Sequence, residues 1–247
     1  GGAGTFSDGK LTTGTKSPLA RHVLRAFVDA GAPEEILWEA KPHIGTDKLV
    51  GVVRNIRKRI EDLGGEVRFH TKLADLSIVG GGLASAIVEN TKPDPHPAPE
   101  IPEDARVPAY NGSRTMRMPT RYMILACGHS ARDTFAMLKD AGFTMEQKPF
   151  SVGVRIEHPQ TAINAAQYGV AATHPALSAA DYKLVEHLPN GRSAYTFCMC
   201  PGGTVVCAAS EADGVVVNGM SRFARDAENA NSALLVGVSP SDFGSDD

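Results

Sequence analysis

A run of prolines divides this chain. Between Thr91 and Arg121 stand Pro93, Pro95, Pro97 and Pro99, then Pro102 and Pro108, among few apolar residues. Proline fixes φ and offers no backbone N–H, so neither a helix nor a central strand can run through such a stretch. The sequence predicts a surface loop or insertion over 91–121. Regular structure must therefore come from the segments on either side. With 247 residues there is material for one large domain or two modest ones.

Ahead of the break the patterning is mixed. Ser17-Pro18 reads as a cap followed by proline at the first helical position, and Leu19, Val23 and Phe27 recur at spacing four until Gly31. A short helix is expected from Pro33 to about Ala40, and Lys41–Asp47 as a loop. The clearest helix carries Leu49, Val53, Ile56, Ile60 and Leu63 on one stripe and stops at Gly64-Gly65. "EVRFH" alternates as a strand would. "ADLSIV" and "LASAIVE" flank Gly80-Gly81-Gly82, which predicts a hairpin.

After the break, Met123–Cys127 is a short, almost wholly apolar run, as expected of a strand buried on both faces. Gly128 then turns the chain, and Ser130 with Asp133 resembles a capping box opening a helix. Val152, Val154 and Ile156 alternate, which predicts a strand with Arg155 and Glu157 on its other face. Gln160–Gln167 follows as a helix. "SAYTFCM" and "GTVVCAAS" predict a hairpin about Pro201-Gly202-Gly203, and Ala233–Val238 a last strand.

Several places could carry chemistry. The chain opens "GGAGTFSDGKL"; glycines there would let backbone N–H groups approach a phosphate or flavin, and a flexible glycine-rich terminus is the competing reading. The turn Cys127-Gly128-His129-Ser130 stands where a helix N-terminus could meet an anion, although most such turns in α/β proteins bind nothing. Arg155, Glu157 and His158 cluster at a strand end as a candidate acid/base group, against the plainer reading of a surface ion pair. Arg54, Arg57, Lys58 and Arg59 read as the solvated face of their helix.

Cys127, Cys198, Cys200 and Cys207 are too few and too scattered for a disulfide framework, and reduced thiols are expected. Cys198-Met199-Cys200 would put two thiols on one strand face, but no C-x-x-C knuckle completes a metal site, so no metal is expected. The net charge of −3 gives no general pull toward nucleic acid or an anionic membrane. No apolar run reaches the roughly 20 residues of a membrane span. No G-x-G-x-x-G joins a strand to a helix.

Taken together, "GGAGTFSDGKL", "KPHIGTDKL", "ILACGHSARDTFAML", "KPFSVGVRIEHPQ", "YTFCMCPGG", "AASE", "NGMS" and "NANSALLV" resemble the FAD-dependent dehydrogenases of bacteria and plastid-bearing organisms, within the glutathione-reductase-like flavoprotein class. The resemblance runs from Gly1 to about Phe243, with Lys92–Arg121 departing from it. It implies a central piece of a longer protein, with the G-x-G-x-x-G unit upstream and a closing flavin-contact segment downstream. It implies an α/β, mixed α+β fold: a partial FAD-binding Rossmann-like domain interrupted by a mixed β-sheet substrate domain. The parts would be 1–45 beside the flavin, 46–121 in the substrate domain, 122–148 returning to the FAD domain, and 149–247 in the substrate domain.

The resemblance also implies the cofactor contacts: Gly1, Gly2, Ala3, Gly4, Thr5 and Ser7 in the opening loop, and Ala126, Cys127, Gly128 and His129 at the strand end. Cys127 stands where the family usually has Thr. Arg155, Glu157 and His158 would border a pocket for a small-molecule substrate. FAD is the implied cofactor, with NAD(P)H a candidate electron donor, and the intact protein is expected to be an oxidoreductase in the cytoplasm or plastid stroma. The flanking parts of the same protein are the expected partners. A protein with structural FAD or a modification role, and a non-enzymatic phosphate-binding module, are the alternatives.

Overall fold

The computed structural model describes residues 9–91, 115–210 and 213–244. Two compact units emerge. One holds the residues up to Gly65 and from Gln147 onward; the other is Glu66–Glu146. Among the described residues the architecture is mixed α+β, with four α-helices and three sheets. Every strand pair in them is antiparallel. The doubly wound parallel sheet of a Rossmann-like domain is therefore not found among these elements.

In the first unit, α1 (Leu19–Asp29) follows Ser17, whose hydroxyl accepts from the Leu19 N–H at 3.3 Å. The expected stripe is displaced. Leu19 and Val23 are exposed, while Leu24, Phe27 and Val28 pack inward at the i, i+3, i+4 spacing of a single helix face. The short helix tightens to a 3-10 turn at Glu34–Leu37. α2 (Thr46–Asp62) buries Leu49 and Val52 and leans Val53 and Ile56 on the same core; Ile60 and Leu63 have drifted to solvent. The basic residues face outward and pair locally, Lys58 with Asp62 at 2.9 Å and Arg59 with Asp29 at 3.8 Å. Ile36, Ile44 and Val52 seal this core, each contributing about 1.5–3 kcal/mol by burial.

The second unit is built on a hairpin. β1 (Thr71–Val79) and β2 (Gly82–Asn90) pair antiparallel, with Val79 opposite Gly82. Gly80 and Gly81 both have positive φ, as the tight primed turn requires. β3 (Thr115–Pro119) then adds to β2. This corrects the expectation of a loop throughout 91–121. Thr115, Met116 and Met118 can line a strand, and Pro119 is tolerated because β3 is an edge; residues 92–114 lie outside the described part. "EVRFH" is not a strand: Arg68 instead grips Glu66 at 2.6 Å, Phe69 is exposed and His70 takes a positive φ.

Tyr122–Gly128 is neither paired nor buried. Tyr122 and Ile124 are over nine-tenths exposed, so the expected doubly buried strand is absent. A strand of that composition needs sheet neighbours on both sides, and among the described residues none pairs with it. α3 (Arg132–Asp140) starts later than expected, after Ala131; Ser130 does not cap it, and Asp133 is bound to Lys72 at 2.6 Å.

The rest of the first unit is a four-stranded sheet in the order β4-β9-β6-β5, with β7 and β8 forming a separate pair. These are β4 (Phe150–Pro159), β5 (Val185–His187), β6 (Ser193–Cys200), β7 (Gly203–Cys207), β8 (Val217–Ser221) and β9 (Asn229–Val238), with α4 (Gln160–Tyr168) directly after β4. The expected hairpin of "SAYTFCM" with "GTVVCAAS" does not form. β6 pairs with β9 and β7 with β8. Cys198 takes φ 49° and the register slips between Phe197 and Cys200, after which Cys200 pairs again with Asn231 and the chain turns at Pro201-Gly202 into the other sheet. Gly202 is obligatory there: a Cβ on it would stand 1.8 Å from the Arg225 carbonyl oxygen.

Candidate functional site in the four-stranded sheet

Alternation along β4 decides what its polar residues can reach. Side chains two apart share a face, and neighbours take opposite faces. Arg155 and Glu157 therefore lie together, level with Ala233 and Asn231 of β9. His158 points the other way, with Ile156. The three residues grouped by sequence proximity are thus split across the sheet.

On the Arg155 side, Nη1 donates to Asn231 Oδ1 at 2.7 Å and to the Cys198 carbonyl at 3.2 Å. Asn231 is wholly buried. Glu157 accepts from Asn229 Nδ2 at 2.8 Å and from the Val205 N–H at 3.4 Å, tying β9 and β7 to β4. Both charged groups are engaged in holding strands together. A Cβ on Gly219 would fall 2.4 Å from Asn231 Oδ1, 2.6 Å from Arg155 Nη1 and 2.7 Å from Cys200 Sγ. This glycine lets β8 close over the polar cluster.

On the His158 side lies an open cleft of about 820 Å³ between the sheet and α4. Ile156, His158, Tyr182, Leu184 and Leu234 line it. The His158 and Tyr182 rings are 5.6 Å apart and tilted by 32°. His158 Nε2 is buried with no hydrogen-bond partner. Burial pushes the Tyr182 hydroxyl above its ordinary value, opposed more weakly by Ser232 and by the Arg155 charge. The start of α4, ahead of the turns that line the cleft, is pinned by Gln160. Its Nε2 donates to Asn164 Oδ1 and the Ala180 carbonyl, and its Oε1 accepts from the Gly202 N–H.

Sequence pattern alone does not single out Tyr182. The signal that could have found it is parity: Tyr182 and Leu184 alternate into β5 just as Ile156 and His158 alternate along β4.

Gly1, Gly2, Ala3, Gly4, Thr5 and Ser7 lie outside the described residues. Ala126, Cys127, Gly128 and His129 form an exposed stretch of chain in the other unit, with Gly128 at φ 77°. Nothing stands within 4 Å of a Cβ placed on Gly128, so this is an open backbone surface. It does not itself enclose a cofactor. The two thiols expected on one face are separated by the bulge: Cys198 is exposed and Cys200 buried. Cys207 lies on β7 opposite Val217, away from β6 pairing. Among the described residues no group of three His, Cys, Asp or Glu could hold a metal.

Residues 149–247, which contain this sheet, match the family described as FAD-dependent protein, C-terminal domain-like. That match supports an FAD-dependent family and a flavoprotein-related role. Its description names FAD and no nicotinamide cofactor. An uncharacterized protein of Clostridium beijerinckii (strain ATCC 51743 / NCIMB 8052) is 49% identical over 246 residues, covering 98% of this chain. The chain spans 41% of that protein's length.

Proposed function

We propose that this chain is the central part of an FAD-dependent oxidoreductase that moves hydride or electrons between a donor and an organic substrate. The observation that carries the reading is the FAD-dependent match over 149–247, the segment that builds both the sheet and its cleft. FAD, when bound, would supply the hydride-accepting chemistry, and the protein its placement and electrostatics. Ala126–His129 would meet the cofactor through main-chain N–H groups. Arg155 and Glu157 would act as positioning residues, because their hydrogen bonds hold β4 against β9 and β7. His158 would border the substrate from the cleft.

The test uses a protein of the relative's full length. His158→Ala should slow single-turnover flavin reduction or reoxidation by substrate about 100-fold if the imidazole moves a proton. Unchanged single-turnover rates would remove His158 from the chemistry. A structural role for FAD is the second reading, favoured by the engagement of Arg155 and Glu157 in bonds between strands. A flavin in the intact protein that no physiological reductant bleaches would select it.

A further inference from the structure

The cleft beside α4 has a composition that restricts what can occupy it. Ile156, Ile163, Ala166, Leu184, Ala194 and Leu234 are among the apolar residues of its wall. Among the described residues no Lys or Arg lines it, and the one charged lining residue is Glu186. A phosphate or carboxylate entering here would lose water, meet the Glu186 charge on the lining and have Arg155 only behind the sheet, where Asn231 already holds it. At about 820 Å³ the space falls within the roughly 300–1,000 Å³ range of small-molecule sites.

Its polar lining residues are His158, Gln167, Tyr182, Glu186, Tyr195 and Thr196, and the Tyr195 hydroxyl is engaged with Ser151. Thr196 is already committed, accepting from the Leu184 N–H at 2.8 Å. His158 Nε2 is unpartnered, and the Tyr182 ring lies beside it. An unmade hydrogen bond at a buried group is costly, so turning the imidazole to a ligand acceptor or donor recovers free energy that this arrangement leaves unused. The Tyr182 hydroxyl, raised above its ordinary value by burial, has Ser232 as a hydrogen-bond partner, so a ligand contact there is shared with Ser232.

We propose that this cleft binds an uncharged, largely apolar small molecule, its polar group turned toward the paired rings of His158 and Tyr182. This deepens the reading of the cleft as the substrate side. Binding itself needs no flavin, so its failure and the failure of the flavoprotein reading are separate results.

The test is equilibrium binding of Nile red, an uncharged fluorophore, to the whole chain, with displacement by 2-naphthol and by 2-naphthoate near neutral pH. The proposal expects saturable binding, with 2-naphthol displacing the probe at least about tenfold more effectively than 2-naphthoate. Ala166→Arg adds a cation to the lining from an exposed helical position where Arg is well tolerated. It should weaken Nile red by about tenfold and invert the preference toward 2-naphthoate. Gln167→Lys makes the same test should Ala166→Arg fail to fold. Ile124→Lys, in the other unit, should change nothing. Naphthoate binding as well as naphthol to the unaltered chain would overturn the proposal, as would absence of saturable binding. Loss of binding in Ile124→Lys but not in Ala166→Arg would also overturn it. So would self-association of the chain that Ala166→Arg abolishes, which would make the cleft an interface between copies.

Discussion

Gly45 is the residue whose replacement is expected to cost most for the smallest chemical change. It precedes α2 at φ 80° and ψ 145°, a backbone region essentially reserved for glycine. A Cβ there would stand 2.3 Å from the Phe223 nitrogen and 2.6 Å from its Cα, both main-chain atoms that no rotamer change can move. That approach carries a set of contacts. The Phe223 N–H donates to Asp47 Oδ1 at 2.9 Å, and Thr46 Oγ1 donates to the Ser221 carbonyl at 3.1 Å. His43 stacks on the Phe223 ring at 5.4 Å, and Lys48 Nζ sits 3.3 Å from its centroid. For Gly45→Ala the backbone strain is about 1–3 kcal/mol. The two hydrogen bonds forced apart add about 1 kcal/mol each. The expected loss is then about 3–5 kcal/mol, a large share of the roughly 5–15 kcal/mol that holds a domain folded. In a chain of this size that is a fall of roughly 10 °C in the melting temperature of the unit containing α2. Differential scanning calorimetry of Gly45→Ala beside Gly51→Ala supplies the contrast. Gly51 lies inside α2 with nothing within 4 Å of an added methyl, so alanine there should stabilise by about 0.5–1 kcal/mol. Equal melting temperatures for Gly45→Ala and the unaltered chain would refute the close approach to Phe223.

Other outcomes follow from the same contacts. Gln160→Leu removes three hydrogen bonds at a buried side chain and leaves the Gly202 N–H and Ala180 carbonyl unmatched; urea denaturation should show a loss of about 2–4 kcal/mol. Asp242 is held down to about 2 by Arg192 first and by the Ser239 N–H second. The stability from this pair is present above the ordinary Asp value near 3.8 and is lost as pH falls through about 2. An NMR titration of the Asp242 carboxyl should show that low midpoint, and Arg192→Gln should move it up toward 3.8. Asp133→Asn breaks the exposed pair with Lys72 and should change stability by less than about 1 kcal/mol in urea denaturation.

What could be seen in the sequence follows from how local each signal is. The turn at Gly80–Gly82 and the helix Thr46–Asp62 needed only neighbours along the chain, and both are present. The alternation of Val152, Val154 and Ile156 placed β4 correctly, and carried two residues further it separates His158 from Arg155 and Glu157. Met123–Cys127 shows the opposite limit. Apolar composition reports an affinity for burial, not the partner that would supply it, and the described residues contain no strand paired to that segment. The register slip at Cys198 depends on one positive φ in a residue type that rarely adopts it. The cleft was hidden for a related reason: Ala166, Tyr182 and Leu234 come from a helix, a connecting segment and a strand that lie far apart along the chain.

The central claim is that this chain contributes to a flavin site completed by other parts of a longer protein. FAD titration, followed by flavin fluorescence and the visible absorption band, tests it most directly when done on this chain and on a protein of the relative's full length. The account predicts no binding by the chain alone and stoichiometric binding by the longer protein. Tight binding by the chain alone would contradict the need for further segments, and no binding by either would contradict the flavoprotein reading.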